Sequence, residues 1–286
     1  MLKIKNYNKI YPNGKHAVKN LNIEVLPGDL VAFIGANGAG KTTTIKSIVG
    51  ILPFDEGEIL INGSSIVDDP ITCKKQISYI PDNPDLYESL TGINYLNFIA
   101  DIFKLDKKTR KEKIEYYAKE FELINNLNDY ISSYSHGMKQ KLALISAFMH
   151  EPKLLILDEP FVGLDPKSSF IVKQEMKKMC EAGNAIFFST HILEVAEKLC
   201  NKIAIIKNGE LVITGKMEEV VKIECEVNYK FGYPMGMMFA SKEDYTSLNG
   251  IPVLRVSNEF IKIFNKNYCE VLYNDSSKIK LKLELK

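Results

Sequence analysis

An α/β fold is predicted: a mostly parallel core sheet, an antiparallel β subdomain, a helical insertion and a small α+β C-terminal appendage. Three observations carry it. The apolar run Leu30-Val31-Ala32-Phe33-Ile34 passes into Gly35-Ala36-Asn37-Gly38-Ala39-Gly40-Lys41-Thr42 and then Thr43-Thr44-Ile45-Lys46-Ser47-Ile48-Val49, which is strand, glycine-rich loop and helix in succession. Unbroken apolar runs at Leu154-Leu155-Ile156-Leu157 and Ala185-Ile186-Phe187-Phe188 suit strands covered on both faces, as parallel sheets require. From about residue 83 to 135 the pattern switches to helical spacing and then reverts.

The 286 residues suffice for one large α/β domain, residues 1–220, and a small α+β domain at 221–286. A net charge of +1 without long runs of one sign gives no footprint for a nucleic-acid groove. Cys73, Cys180, Cys200, Cys225 and Cys269 show no C-x-x-C spacing, which reads as reduced thiols in a cytosolic protein, not a disulfide frame or zinc site. No apolar stretch approaches a membrane span, and Met1-Leu2-Lys3-Ile4-Lys5 alternates like a strand instead of a signal segment. Work at a membrane would therefore need a separate spanning subunit.

In chain order, residues 2–7 and 18–25 alternate apolar and polar side chains, the mark of half-exposed antiparallel strands, with Tyr11-Pro12-Asn13-Gly14 as a turn between them. The Tyr11 ring offers either a face for stacking on a base or an aromatic cap on the core. G-x-x-x-x-G-K-T between a strand and a helix is the phosphate-binding loop of a P-loop NTPase with a RecA-like core. Its glycines let successive amides converge on a polyphosphate at a helix N-terminus. Lys41 supplies charge to the β- and γ-phosphates, and the Thr42 hydroxyl is placed to ligate Mg²⁺.

Residues 58–63 read as strand and turn, and 76–80 as a buried strand ending at Pro81-Asp82. Helices are expected over 91–103 and 107–122 within the insertion, and over 136–149 after it. The strand at Lys153–Leu157 delivers Asp158 and Glu159 to its C-terminal end, where open α/β sheets bind ligands. Asp158 suits Mg²⁺ through its water shell and Glu159 the polarising of an attacking water; the other reading is an ordinary strand-end acidic pair. An amphipathic helix over 167–182 precedes the Ala185–Ser189 strand, which brings Thr190-His191 to the same edge, in reach of a γ-phosphate. Residues 203–206 and 210–214 form a hairpin. In the appendage, strands are expected near 223–231, 259–264, 268–273 and 279–285, with a helix near 241–248.

Read with Tyr134-Ser135-His136-Gly137-Met138-Lys139-Gln140, the order and spacing of these motifs over about residues 1–220 resembles the ATP-binding subunit of an ABC transporter. The resemblance implies that Tyr11 stacks on adenine, that Gly35 to Thr42 are Walker A, with Thr43 following, and that Asp158 and Glu159 end Walker B, Glu159 being the general base. It makes Gly163-Leu164-Asp165 the D-loop and His191 the switch histidine. Ser135, His136, Gly137, Met138 and Gln140 stand at the family signature, usually Leu-Ser-Gly-Gly-Gln, with His136 and Met138 replacing its first glycine and its glutamine. Asp82 takes the place of a glutamine that touches Mg²⁺ and the attacking water.

The Ser-x-Gly-Met-Lys-Gln form is similar to the exporter-type branch with a separate permease chain. Expected partners are a second nucleotide-binding subunit, identical or related, and an integral membrane permease, whose coupling helix would enter a groove bordered by Leu86 to Leu96. Expected cofactors are ATP and Mg²⁺, and the expected location is the cytoplasmic side of the cell membrane, peripheral through the permease. A soluble ABC ATPase with a non-transport or regulatory role is the alternative.

Overall fold

A computed structural model describes residues 1–217 and the strand segments 245–248, 251–256 and 282–285. By its contacts the chain divides into Met1–Leu211 and Val212–Lys286. In order, the first unit contains β1 (Leu2–Ile10), β2 (His16–Val25), β3 (Leu30–Ile34), α1 (Lys41–Ile48), β4 (Glu56–Ile61), β5 (Ser64–Ser65), α2 (Pro70–Lys74) and β6 (Ile77–Ile80). Then come α3 (Gly92–Ile102), α4 (Lys107–Glu120), two short 3₁₀ turns, α5 (His136–Phe148), β7 (Leu154–Asp158), α6 (Pro166–Glu181), β8 (Ala185–Thr190), α7 (Leu193–Leu199) and β9 (Lys202–Lys207). β10 (Glu210–Lys216) returns from β9 across Asn208-Gly209, both at positive φ as a two-residue hairpin loop requires.

Two sheets meet over one core. The antiparallel sheet has the order β2-β1-β4-β5, and the larger one β10-β9-β3-β8-β7-β6. In the latter, β9, β3, β8, β7 and β6 run parallel. β3, β7 and β8 are buried at every position, the outcome their unbroken apolar runs predict. β1 and β2 instead alternate, presenting Leu2, Ile4, Leu21, Ile23 and Val25 to the core. That core is shared between the sheets, with Phe33 and Phe187 ring centroids 5.2 Å apart. Tyr7 fastens β1 to α1: its buried hydroxyl donates to Ser47 Oγ at 2.9 Å, and burial pushes the phenol up to about 12.

Parallel register sets the functional edge. Ile34 lies beside Thr190, Asp158 beside Ser189 and Ile80 beside Leu157, so the residues next after β3, β6, β7 and β8 emerge together.

The insertion is built as its spacing predicts, with α3 capped by Thr91 and α4 by Asp106. It is tied to the core by a buried bond from Tyr117 on α4 to Glu175 on α6, 3.1 Å. Cys73, Cys180 and Cys200 are free thiols, as their spacing implies; Cys225 and Cys269 lie outside the described residues. Among the described residues no helix is long and apolar enough to cross a membrane.

In the second unit β11 (Tyr245–Leu248), β12 (Ile251–Val256) and β13 (Lys282–Leu285) form one sheet in that order, β12 antiparallel to β11 and parallel to β13. The helix expected near 241–248 is corrected here: Tyr245–Leu248 is a strand. Tyr-Thr-Ser-Leu favours extended backbone, and the Asn249-Gly250 after it is a strong hairpin signal, with Leu248 paired to Ile251. β13 falls within the expected strand at 279–285. The expected strands near 223–231, 259–264 and 268–273 lie outside the described residues.

Candidate functional site

Between β3 and α1 the chain must turn within six residues and still leave helix amides facing outward. Gly40 makes this possible. It is the N-cap of α1 at φ +113°, and a Cβ there would come within 2.8 Å of the Ala17 carbonyl. No side chain caps the helix, so its first-turn N–H groups remain directed at the loop. Gly35 and Ala39 hold the loop from behind, through Gly35 N to Thr190 O at 3.4 Å and Gly209 N to Ala39 O at 2.9 Å. Lys41 is only 6 % exposed; its ammonium donates to Gly35 O at 2.7 Å and pairs with Glu159 Oε1 at 3.5 Å.

At the end of β7, Asp158 is 2 % exposed and accepts a hydrogen bond from the Ser189 hydroxyl. Glu159 leaves the strand in left-handed backbone, φ +48°, directly before Pro160, a strained conformation of the kind that gathers at functional sites. Its amide donates to Ser189 Oγ at 3.0 Å. Its carboxylate lies between two nitrogens: Oε1 faces Lys41, and Oε2 is 3.1 Å from His191 Nδ1. His191 itself is half exposed.

Lys41, Asp158 and Glu159 line a cavity of about 300 Å³, whereas Ser189 and His191 are not among its lining residues. Its floor is Ala36, Asn37, Gly38, Gly40, Lys41 and Thr42, and its walls include Thr43, Tyr11, Asp82, Asp158 and Glu159. The Tyr11 ring packs on the core edge and lines the cavity, with its hydroxyl 3.2 Å from Thr43 Oγ1. Lys15 also lines the cavity, a cation that sequence reasoning missed because a turn residue carries no periodic signal. Ser189 was missed too, since a serine inside an apolar strand looks like packing. A Mg²⁺ ion fits the donor set: the Thr42 hydroxyl and the Asp82 and Asp158 carboxylates are hard oxygen ligands on one cavity. Among the described residues no group of three or more His, Cys, Asp or Glu could hold a metal by itself. Nucleotide phosphates complete such a set, as is usual for Mg²⁺.

The signature residues are elsewhere. Ser135 caps α5, its Oγ accepting from Met138 N at 3.3 Å, and neither it nor His136, Gly137, Met138 or Gln140 lines the cavity. Ser135 and His136 are exposed, Gly137 and Met138 are half-buried, and Gln140 is turned fully into the core. The segment packs on the turn before α6. A Cβ on Gly137 would lie 2.9 Å from Gly163 O, and one on Gly163 would lie 2.7 Å from His136 Cδ2.

Asp165 caps α6 through Ser168 N at 2.8 Å and pairs with Lys141 at 2.7 Å. Lys141 and the Ser168 bonds hold the Asp165 carboxyl well below the usual carboxylate range. A lowered folded-state pKa stabilises the fold above the unfolded value, about 3.9, and that contribution fades as pH falls below it. Asp165→Ala is therefore expected to lower the unfolding temperature at pH 7 and to lower it less at pH 3. Equal losses in thermal unfolding at both pH values would contradict this.

The family model described as ABC transporter matches residues 18–162. The chain is similar to the ABC-type transporter ATP-binding protein EcsA of Bacillus subtilis, 38 % identical over 203 residues, covering 71 % of this chain and 82 % of that one. It is also similar to the SkfA peptide export ATP-binding protein SkfE of the same organism, 36 % identical over 211 residues, covering 74 % and 87 %. Among solved structures, the dimeric post-hydrolysis state of the ATP-binding cassette MJ0796 bound to ADP and Pi superposes with a TM-score of 0.69 at 26 % identity, covering 76 % of this chain and 99 % of that one. Phosphate loop, strand-end carboxylates and these likenesses agree: the chain belongs to the ABC transporter family, as an ATP-binding subunit that hydrolyses ATP to power transport.

Proposed function

We propose that two copies of this chain, or this chain and a related one, clasp two MgATP molecules between them and so drive a separate membrane permease. One observation carries the reading: Tyr11, the phosphate loop, Asp158 and Glu159 surround one cavity, while Ser135 and Gly137 lie off it on an exposed helix start. Each chain thus holds one half of a site and offers the other half to its twin.

In this reading Tyr11 stacks on adenine, the loop amides and Lys41 hold the phosphates, and Ser135 with the Gly137 amide meets the γ-phosphate of the partner's nucleotide. Thr42, Asp158 and Asp82 are the oxygen donors for Mg²⁺, which neutralises phosphate charge when bound. An arriving triphosphate competes with Gly35 O and Glu159 for the Lys41 ammonium. Glu159, released from Lys41, orients water toward the γ-phosphorus, and His191 beside it contacts the γ-phosphate. The water oxygen bonds to the γ-phosphorus as the bond from phosphorus to the bridging oxygen breaks, a proton of the water passes to Glu159, and ADP and phosphate form. Closure before hydrolysis and opening after it pull on the permease.

Asp165, ending the turn on which the signature packs, faces the same boundary. Export, with this chain held on the inner face of the cell membrane through the permease, is favoured by the Ser-x-Gly-Met-Lys-Gln signature and by the likeness to SkfE, named for peptide export. We propose further that residues 221–286 form a separate small domain.

Mixing two disabled chains tests the shared site. Lys41→Ala and Ser135→Arg are each expected to lose at least about tenfold in ATPase rate, and an equal mixture to regain part of it. In that mixture one interface combines an intact phosphate loop with an intact signature. Full-rate turnover by monomeric Ser135→Arg would reject the shared site.

A further inference from the structure

Asp158 and Glu159 are adjacent in sequence yet must do different work, one at the metal and one at the water. The residue that sets the angle between them is on the neighbouring strand. β7 and β8 pair in parallel with Asp158 opposite Ser189. The Ser189 side chain is fully buried; its hydroxyl donates its one proton to Asp158 Oδ1 and accepts the Glu159 N–H at 3.0 Å. It therefore engages both residues in a single arrangement. Glu159 also stands in left-handed backbone, φ +48°, uncommon for a residue other than glycine. The bond to Ser189 holds its amide in that place.

We propose that Ser189 is a positioning residue for ATP hydrolysis. By holding the Glu159 amide it fixes the backbone from which the carboxylate reaches between Lys41 and His191. By occupying one oxygen of Asp158 it leaves the other for the cavity that Asp158 lines. The proposal rests on the proposed function, in which Glu159 is the base and Asp158 a metal donor. It places in the apolar run of β8 a hydroxyl whose work is done one strand away.

Ser189→Ala removes both bonds. Its kcat is expected to fall about ten- to a hundredfold, the size of a lost hydrogen bond to a charged group, with KM for ATP within about twofold of the parent. Ser189→Cys keeps the volume and supplies only a weak donor, so it should show the same split between kcat and KM. Ser189→Thr keeps the hydroxyl and should retain most of the parent kcat. Added to Glu159→Gln, Ser189→Ala should cause a smaller further loss in single-turnover rate than it causes alone, because the part that acts through Glu159 is already gone.

An unchanged kcat in the Ala and Cys variants, a Thr variant as damaged as Ala, or a loss that multiplies onto Glu159→Gln would each overturn the proposal. The two readings fail separately. Parent-rate turnover by Glu159→Gln removes the base assignment, whereas a fully active Ser189→Ala beside an inactive Glu159→Gln removes only the role given to Ser189.

Discussion

Glu159→Gln is expected to bind MgATP with the parent's affinity, to lose at least about a hundredfold in turnover, and to accumulate as a nucleotide-bound dimer. The substitution keeps the volume and both heavy-atom positions while removing the negative charge and one acceptor. In the structure that charge sits 3.5 Å from the Lys41 ammonium and 3.1 Å from His191 Nδ1. Loss of the first contact frees Lys41 for the phosphates, so binding does not suffer. Loss of the charge leaves no base to draw a proton from the water, so the chemical step does. Without hydrolysis the closed pair has no route to reopen. Size-exclusion chromatography with MgATP, beside steady-state phosphate release, reads both effects, and rapid turnover by this variant would reject the assignment of Glu159.

Lys41→Ala acts on the other partner of the same pair. Its ammonium is set at the floor of the cavity, where it is nearly enclosed. In the proposed function removing it deletes charge-assisted contacts to the phosphates, and ATP affinity is expected to fall on the order of a hundredfold. It also strips Gly35 O of its donor and leaves Glu159 facing the phosphates without a counter-charge, which adds repulsion. Titration of a fluorescent ATP analogue measures the loss. The double variant Lys41→Ala with Glu159→Gln should recover part of the affinity, since the repelling carboxylate is gone. Normal MgATP binding by Lys41→Ala alone would contradict the phosphate-loop reading.

Much of this arrangement is legible in the residues alone. Unbroken apolar runs announce β3, β7 and β8, and glycine spacing marks the loop between β3 and α1. Residues just past the C-terminal end of a central strand share one edge of the sheet, so topology by itself brings Glu159 and His191 together.

Less can be read where an element is short or where a side chain acts across strands. α2 has five residues, too few for a helical period, although Asp69 and Pro70 at its start are a recognisable cap. Ser189 and Lys15 reach the site through strand pairing and turn geometry, neither of which leaves a periodic trace. In the second unit, helical spacing misassigns Tyr245–Leu248, because it competes with the Asn249-Gly250 turn signal and the turn wins. Gln140 belongs to the motif by spacing but is buried in α5, because the helical period turns it inward while Ser135 and His136 stay outside.

α6 begins at the carboxylate of Asp165 and carries Glu175 nearly three turns further along, where the phenol of Tyr117 is attached. The span between those two points is about 15 Å of continuous helix, too stiff to compress or bend appreciably. It behaves as a strut. Asp165, beside Lys141 on the signature helix, and Glu175, bonded to Tyr117 on α4, are thus joined through one helix with no loop between them.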